Sequence, residues 1–395
     1  MRIVIHDFGS YSFPVQLARH MARDGHEVHY LHSDFYEVKG AIEQRAGDPK
    51  TFFVHRISLG EKHQKYRFGQ RALQEGRYVA AFRRVVDEIR PDWVISCNTP
   101  IIVAFGLAQY CRWRGFGYVH WAQDLHTTAI TSILAKRNRV LGQVAGAVAK
   151  KLEQSAIEAA RALVVISEDF LDELRSHDVR PKSSRVIPNW MPLDEMVPTP
   201  KVNPWSQRNG MAETLNLMYV GTLSLKHEIE PFVDLSRHFT SEHNVRIVVV
   251  AGGISFDELA KEKERLNLSN LVLFGWQKYE ELSWVLGSGD VLFATISPDA
   301  SRFSVPCKVL TYAAVGKPVL AHMPKGNLVS RIISDNQLGE VVECGDREGL
   351  LRAADKLVHD AAYRNACATR ARAYAERTFD VGEKARDFYE ILKAS

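Results

Sequence analysis

The sequence predicts an α/β protein built as two halves, each around a parallel sheet. Three observations lead there. Short apolar runs alternate with helical stretches along the whole chain, the pattern of parallel strands covered by helices. That alternation is interrupted once, by a run holding Pro188, Pro192, Pro198, Pro200 and Pro204 with little periodicity between them. A chain of 395 residues is also long for one domain and comfortable for two.

The first series opens on a strand at residues 3–5, with no secretory leader expected before it. Its helix carries Val15, Leu17, Ala18 and Met21 and ends at Asp24-Gly25. A strand at 27–31 follows. A helix holding Val79, Phe82, Val85, Val86 and Ile89 leads into a strand at 93–96, and strands at 118–121 and 163–166 continue the series. Beyond the proline run, strands are expected at 217–220, 245–251, 271–274, 291–294, 319–321 and 340–342, then charged, periodic helices from about residue 347 to 393. In open parallel sheets the C-terminal strand ends carry the ligand sites.

Composition narrows the class. Apolar residues at 46% and charged residues at 25% are ordinary for a soluble globular protein, and no apolar run approaches the roughly 18–20 residues of a membrane span. The cysteines at 97, 111, 307, 344 and 367 show no C-x-x-C spacing. They read as free thiols of a reducing compartment, neither a disulfide frame nor a zinc site, and the cytoplasm is the expected location. The net charge of +4 is unevenly spread: residues 51–150 hold 15 Lys and Arg against 6 Asp and Glu. Solvated helix faces, a nucleic acid or an anionic membrane surface would each account for that excess. The balanced second half and the lack of a recognition motif argue against nucleic acid.

The run from 304 to 320, SVPCKVLTYAAVGKPVL, carries the most chemistry. It follows a strand. Ser304 is placed to cap a helix, Pro306 fits its first turn, and Gly316 fits its end. Free N–H groups near Val305, Pro306, Cys307 and Lys308, with the lysine's charge, suit a phosphate-bearing anion.

This run resembles the segment Pro-Ser-Lys…Ala-x-Gly-x-Pro-Val of the family 4 retaining glycosyltransferases, in Pro306, Cys307, Lys308, Ala314, Gly316, Pro318 and Val319. Three further stretches resemble the same family in order: Leu163 to Glu168, Val186-Ile187-Pro188-Asn189-Trp190, and Tyr219-Val220-Gly221-Thr222-Leu223 with Lys226. The nearest likeness is to the branch that builds exopolysaccharides such as colanic acid. The resemblance implies a GT-B fold, two Rossmann-like parallel α/β domains facing across a cleft. Residues 1–195 would bind acceptor, 196–375 would bind the nucleotide-sugar donor, and 376–395 would form a helix crossing back to the first domain.

Glycosyl transfer from a nucleotide sugar needs the growing charge on the leaving diphosphate stabilised. The chain has no Asp-x-Asp pair to hold a metal for this. No metal or other cofactor is expected, and the burden falls on cations and backbone amides. The resemblance assigns Lys226 and Lys308 to the diphosphate, with Gly221, Thr222, Ser304, Val305, Pro306 and Cys307 around it. It places the base near Trp276 and Gln277. The family's two glutamates, eight positions apart, fall on Phe303 and Thr311. Thr311 then offers a hydroxyl to the ribose, and Asp299 approaches the sugar. On the acceptor side, Gln123-Asp124 matches a family pair. Asp124 is the leading catalytic candidate, His120 and His126 are reserves, and the loop Gly9-Ser10-Tyr11 lies beside the acceptor. That loop is not G-x-G-x-x-G, which argues against a dinucleotide dehydrogenase.

The expected activity is metal-independent, retaining transfer of a hexosyl or deoxyhexosyl group. It runs from a UDP- or GDP-linked sugar to a glycan or lipid-linked oligosaccharide in exopolysaccharide, capsule or lipopolysaccharide synthesis. A sugar-nucleotide epimerase and a non-catalytic nucleotide-sugar-binding partner stay open on the same fold. A stretch from 131 to 151 holds Lys136, Arg137, Arg139, Lys150 and Lys151 and no acid, with Ile133, Leu141, Val144 and Val148 near one helical face. It reads either as an interfacial helix at an anionic membrane or as a helix packed on its own sheet. A second basic stretch holds Lys62, Lys65, Arg67, Arg71, Arg77 and Arg83.

Overall fold

The computed structural model describes residues 1–35, 42–64, 67–127, 130–131, 139–301 and 305–394. At 68, 139–141, 300 and 301 only the backbone is described. Ser304 and Phe303, and with them Ile133, Lys65, Lys136 and Arg137, lie outside the described residues, as do the side chains of Arg139 and Leu141. The chain divides into two compact units, residues 1–189 with 380–395, and residues 190–379.

The first unit holds a seven-stranded, wholly parallel sheet: β1 (Arg2–Asp7), β2 (Glu27–Ser33), β3 (Phe52–Ile57), β4 (Trp93–Cys97), β5 (Gly117–Ala122), β6 (Ala162–Val165) and β7 (Ser184–Val186). Their spatial order is β3-β2-β1-β4-β5-β6-β7. Sequence order reverses between β1 and β4, the switch point where doubly wound sheets open for ligands. Strands β4 and β5 are buried at every residue, because helices cover both faces, and so they read as unbroken apolar runs. On one face Val4, Leu31, Val94 and Tyr118 meet Phe82, Val86 and Leu107 in a single cluster. The two strands that the periodicity does not predict, β3 and β7, are the sheet's edges. Edge β3 (FFVHRI) is buried at only its two end residues and carries a histidine and an arginine, and β7 has three residues.

The helix Val381–Ala394 completes this unit. Phe388 meets the Trp121 ring at 4.8 Å, Trp121 meets Phe13 at 5.4 Å, and the Tyr389 hydroxyl donates to Asp24 at 2.8 Å. Arg185 of β7 pairs with Asp387 at 2.6 Å and also with Glu390.

The second unit repeats the plan with six strands: β8 (Leu215–Thr222), β9 (Val245–Gly252), β10 (Leu271–Phe274), β11 (Val291–Thr295), β12 (Val319–His322) and β13 (Gly339–Val342). Their order is β10-β9-β8-β11-β12-β13, all parallel, with the reversal between β8 and β11. Leu217, Tyr219, Ile247, Val249, Phe293 and Leu320 form its core.

The proline run belongs largely to this second unit. Thr199 donates to the Ser283 carbonyl at 2.6 Å, Lys201 pairs with Asp290 at 2.7 Å, and Asn203 caps the helix Pro204–Arg208 while donating to the Trp284 carbonyl at 3.1 Å. Its lack of periodicity reflects a strap fixed by polar contacts. The division falls at 189/190, against the expected 195/196, and the returning segment starts at 380, against 376.

Candidate functional site

In the first unit the switch point is built around Asp7, the last residue of β1. Its side chain is fully buried. The carboxylate accepts four hydrogen bonds: from the Gly9 amide at 2.9 Å, the Tyr11 amide at 2.5 Å, the Asn98 side-chain amide at 2.9 Å and the Tyr30 hydroxyl at 3.0 Å. Burial raises the Asp7 pKa, and these donors pull it back. Asp7 thereby fixes the loop that carries Gly9, Ser10 and Tyr11. Ser10 adopts φ +55° and donates its hydroxyl to the Ser33 carbonyl at 3.0 Å. A Cβ on Gly9 would lie 2.4 Å from the Tyr11 ring, so the loop needs glycine there. The sequence reading picked out the loop and missed Asp7 as its anchor. The available signal was an acid ending an apolar strand.

The residues expected beyond β5 separate into different environments. Gln123 exchanges amide hydrogen bonds with Asn189, at 3.0 and 2.5 Å. Two stretches read separately, Gln123-Asp124 and Val186 to Asn189, thus meet. Asp124, next along, is half-buried. His120 is buried inside β5 with Nδ1 3.5 Å from the Tyr118 hydroxyl, and burial holds its pKa at about 4. It is a neutral histidine of the sheet. The His126 amide donates to Glu153 at 3.0 Å. Nearby, the buried hydroxyls of Thr127 and Ser167 have no partner among the described residues.

The second unit presents the opposite charge. Lys308 opens the helix Lys308–Ala314. That helix is shorter than the expected 304–316. Pro306 and Cys307 form a turn in front of it, through Val309 N–H to Pro306 O at 3.2 Å. Cys307, at the N-cap position, makes no capping bond and turns its thiol toward the Val305 carbonyl at 3.6 Å. One helical turn after Lys308, Tyr312 is locked to the sheet. Its hydroxyl accepts from the Val220 amide and donates to the Phe293 carbonyl, both at 3.2 Å. Residues four apart share a helix face, so the bond that ties Tyr312 to β8 and β11 also aims Lys308 at their ends.

Lys308 Nζ donates to the Tyr219 hydroxyl, lies 4.0 Å from the centre of that ring, and is 3.2 Å from His227 Nε2. These partners are neutral. Burial lowers the Lys308 pKa to about 7, and burial with the neighbouring lysine lowers that of His227 to about 3. The Tyr219 hydroxyl in turn donates to the Thr222 carbonyl at 2.6 Å, and His227 Nδ1 takes the Ser224 amide at 3.1 Å. Gly221, at φ +135°, holds a backbone conformation that residues with a side chain rarely adopt, and it lies beside the Lys308 stem. Lys226, half-buried in the same loop, accepts the Ser297 amide on its carbonyl at 2.8 Å. Tyr219, His227 and Tyr312 are the members of this cluster that sequence reasoning missed. They come from a strand, a loop and a helix, and no spacing joins them.

The remaining expected donor residues surround the same sheet end. Trp276 is 51% exposed, its indole lying over Gly252 at the end of β9. It is a surface ring and no part of the core. Gln277 accepts from Trp205 Nε1 at 2.9 Å and donates to the Gly275 carbonyl at 3.0 Å, so its amide is engaged within the unit. Asp299 is exposed in the short helix Pro298–Ser301. Val305, Cys307 and Thr311 are half-buried and Pro306 is buried.

Two doubly wound parallel sheets, each with its polar cluster at the switch point, define the GT-B class. Residues 12–190 match the model of the glycosyl transferase 4-like domain, and residues 204–374 match that of glycosyl transferases group 1. The chain belongs to the family 4 glycosyltransferases of GT-B fold.

A curated relative, the probable glycosyltransferase WbjE of Pseudomonas aeruginosa, is 24% identical over 273 residues, covering 68% of this chain and 66% of its own. The match thus spans just under two thirds of that relative. Among solved structures, sucrose-phosphate synthase of Thermosynechococcus elongatus superposes with a TM-score of 0.75 at 14% identity, each chain covered completely. Anabaena HepE in complex with UDP-glucose gives 0.72 at 18%, again with complete coverage. WaaG, a glycosyltransferase involved in lipopolysaccharide biosynthesis, gives 0.70 at 18%, covering 98% of this chain and 99% of its own.

Proposed function

We propose that this protein transfers a sugar, with retention, from a UDP- or GDP-linked donor to a glycan or lipid-linked acceptor in polysaccharide synthesis. The reading rests first on Lys308, a lysine held among neutral partners at the switch point of the second sheet. Such a cation gains most when a diphosphate arrives, and more as charge develops on the leaving group. Lys226 shares that charge from the β8 loop, so the step uses side-chain cations where other transferases use a metal. Trp276 covers the base. In a front-face transfer the departing phosphate oxygen takes the acceptor proton, and Asp124 orients the acceptor or the reacting sugar. The names of HepE with UDP-glucose and of WaaG in lipopolysaccharide biosynthesis support the donor type and the pathway class.

A cytoplasmic protein resting on the inner face of an anionic membrane fits the basic excess of residues 51–150. Val144 and Val148, on the helix Arg139–Ala159, are 60% and 55% exposed, and Trp113 is 71% exposed. Among the described residues no helix is long and apolar enough to cross a membrane.

The test is release of nucleoside diphosphate from UDP- and GDP-sugars with and without an acceptor extract. Acceptor-dependent release is expected, with Lys226→Ala reducing it roughly 100-fold. Binding without release in any combination would make the protein a non-catalytic nucleotide-sugar binder and sink the proposal.

A further inference from the structure

Four strands of the second sheet end around one short peptide, Ile296-Ser297, as it leaves β11. The Ile296 amide donates to the His322 carbonyl at the end of β12 (3.3 Å), and the Ser297 amide to the Lys226 carbonyl beyond β8 (2.8 Å). The Cys344 thiol, just past β13, donates to the Ile296 carbonyl at 3.4 Å. Three side chains converge here: Glu228, His322 and Cys344 each offer a ligating atom, and these atoms lie within 4.8 Å of one another. They are distant in sequence, and no motif spacing announces them.

Two independent observations point to a missing occupant. His322 Nδ1 and Thr295 Oγ1 are buried without a hydrogen-bond partner among the described residues. The two residues face each other in register across β11 and β12, and are 4% and 0% exposed. Orphaned polar atoms at this depth are uncommon and costly. The surroundings also favour a cation. Asp234, Glu343 and Asp346 act electrostatically on His322, and Glu230 and Asp299 act on Glu228. Arg347, 2.8 Å from Asp234, offsets one of these charges.

We propose that Glu228, His322 and Cys344 bind a thiophilic divalent cation of the zinc class. A thiolate, an imidazole and a carboxylate together suit zinc and its first-row neighbours, whereas magnesium and calcium take oxygen sets. Three protein ligands leave a fourth position for water. Bonds of about 2.0–2.3 Å require the three atoms to close in, which the half-buried Glu228 and Cys344 side chains can supply by rotation. On binding, Cys344 releases its S–H proton to solvent, and the thiolate, imidazole and carboxylate each donate an electron pair to the ion. Glu228 shares its loop with Lys226 and His227. The ion therefore ties the loop carrying the lysine cradle to the ends of β12 and β13, a positioning role apart from the transfer chemistry.

The experiment titrates chelator-stripped full-length protein with zinc chloride, against a chromophoric chelator, and with cobalt chloride, followed by absorption. No nucleotide sugar is present, so the outcome is separate from that of the transfer assay. One ion per chain and a thiolate-to-cobalt charge-transfer band are expected. Cys344→Ser should abolish the band and weaken zinc binding by more than the roughly 10- to 100-fold that losing an outer-sphere partner costs. Cys307→Ser, which changes another half-buried cysteine, should leave both intact. If Cys344→Ser does not fold, the wild type still decides the matter, because zinc must slow alkylation of Cys344 by iodoacetamide. No binding, a band that survives Cys344→Ser in a folded protein, or unaltered alkylation would overturn the proposal.

Discussion

At the end of β1 the first sheet buries a carboxylate, and beyond β8 the second sheet holds a lysine. The strand order around the two points is the same. The Asp7 carboxylate is surrounded by four donors and completes its own hydrogen bonding. The Lys308 ammonium meets a phenol and an imidazole and is left with a depressed pKa of about 7. One charge is spent on holding a loop in shape, while the other is kept at a cost to stability and is relieved only by an anion. Topology alone places a ligand site at both ends. The local electrostatics single out the lysine end as the one proposed to take the donor phosphate.

The contrast breaks first at Asp7. Replacing it with Ala leaves several buried donors without an acceptor, at about 1–3 kcal/mol each. Asp7→Ala should therefore lower unfolding free energy by about 3 kcal/mol or more, measured by urea titration. A loss under about 1 kcal/mol would mean that the loop does not depend on this carboxylate.

Lys308→Ala should behave the other way. With a costly cation gone, its melting temperature should hold or rise, while kcat/KM for donor turnover falls about 100- to 1,000-fold. A fall in stability with activity retained would make Lys308 a structural residue and erase the difference between the sheets. Transfer should also proceed with magnesium and manganese withheld, since the proposed mechanism puts the compensating charge on Lys226 and Lys308. A strict need for either ion, restored on re-addition, would contradict that.

A pH experiment sharpens the comparison further. The folded chain holds Lys308 at a pKa of about 7, below the 10.5 of a free lysine. Between these values the unfolded chain binds more protons, so this group's contribution to stability rises with pH across that window and is smallest below about 7. A bound diphosphate favours the charged form. Donor binding near pH 8 should therefore take up close to one proton, and affinity should fall by up to about tenfold per pH unit above 7. Calorimetry in buffers of different ionisation enthalpy reads the uptake directly. Uptake persisting in Lys308→Met would assign it to another group.

The smallest expected effect lies on the surface of the first unit. Arg185, about one third exposed, pairs with Asp387 and Glu390 of the last helix. Arg185→Ala should cost less than about 1 kcal/mol. A larger loss by urea titration would show that the last helix is held by charge and not by Phe388 against Trp121.

Strands buried on both faces were legible because their apolar runs are continuous, as in β4, β9 and β11. The edges β3 and β7 were not, since half of an edge strand answers to solvent and Phe52–Ile57 carries His55 and Arg56. Lys308 could be read from its place after a strand and before an Ala-x-Gly run. Its neighbours could not, because Tyr219 looks like any strand tyrosine and His227 like any loop histidine until folding brings them to one ammonium. The gathering of Glu228, His322 and Cys344 has the same origin. Sequence spacing reports what lies along one element, and these contacts join the ends of several.

The first unit is discontinuous in sequence: it runs to residue 189 and resumes at 380. A ribosome therefore delivers seven strands of one sheet and then makes the entire second unit before the closing helix emerges. At about 5–20 residues per second that interval is on the order of 10–40 s. Throughout it the Trp121 face that Phe388 covers, and Asp24 that Tyr389 bonds, wait without their partners. The second sheet is thus synthesised in full while this aromatic surface still lacks its cover, and the first unit closes only after the second is made.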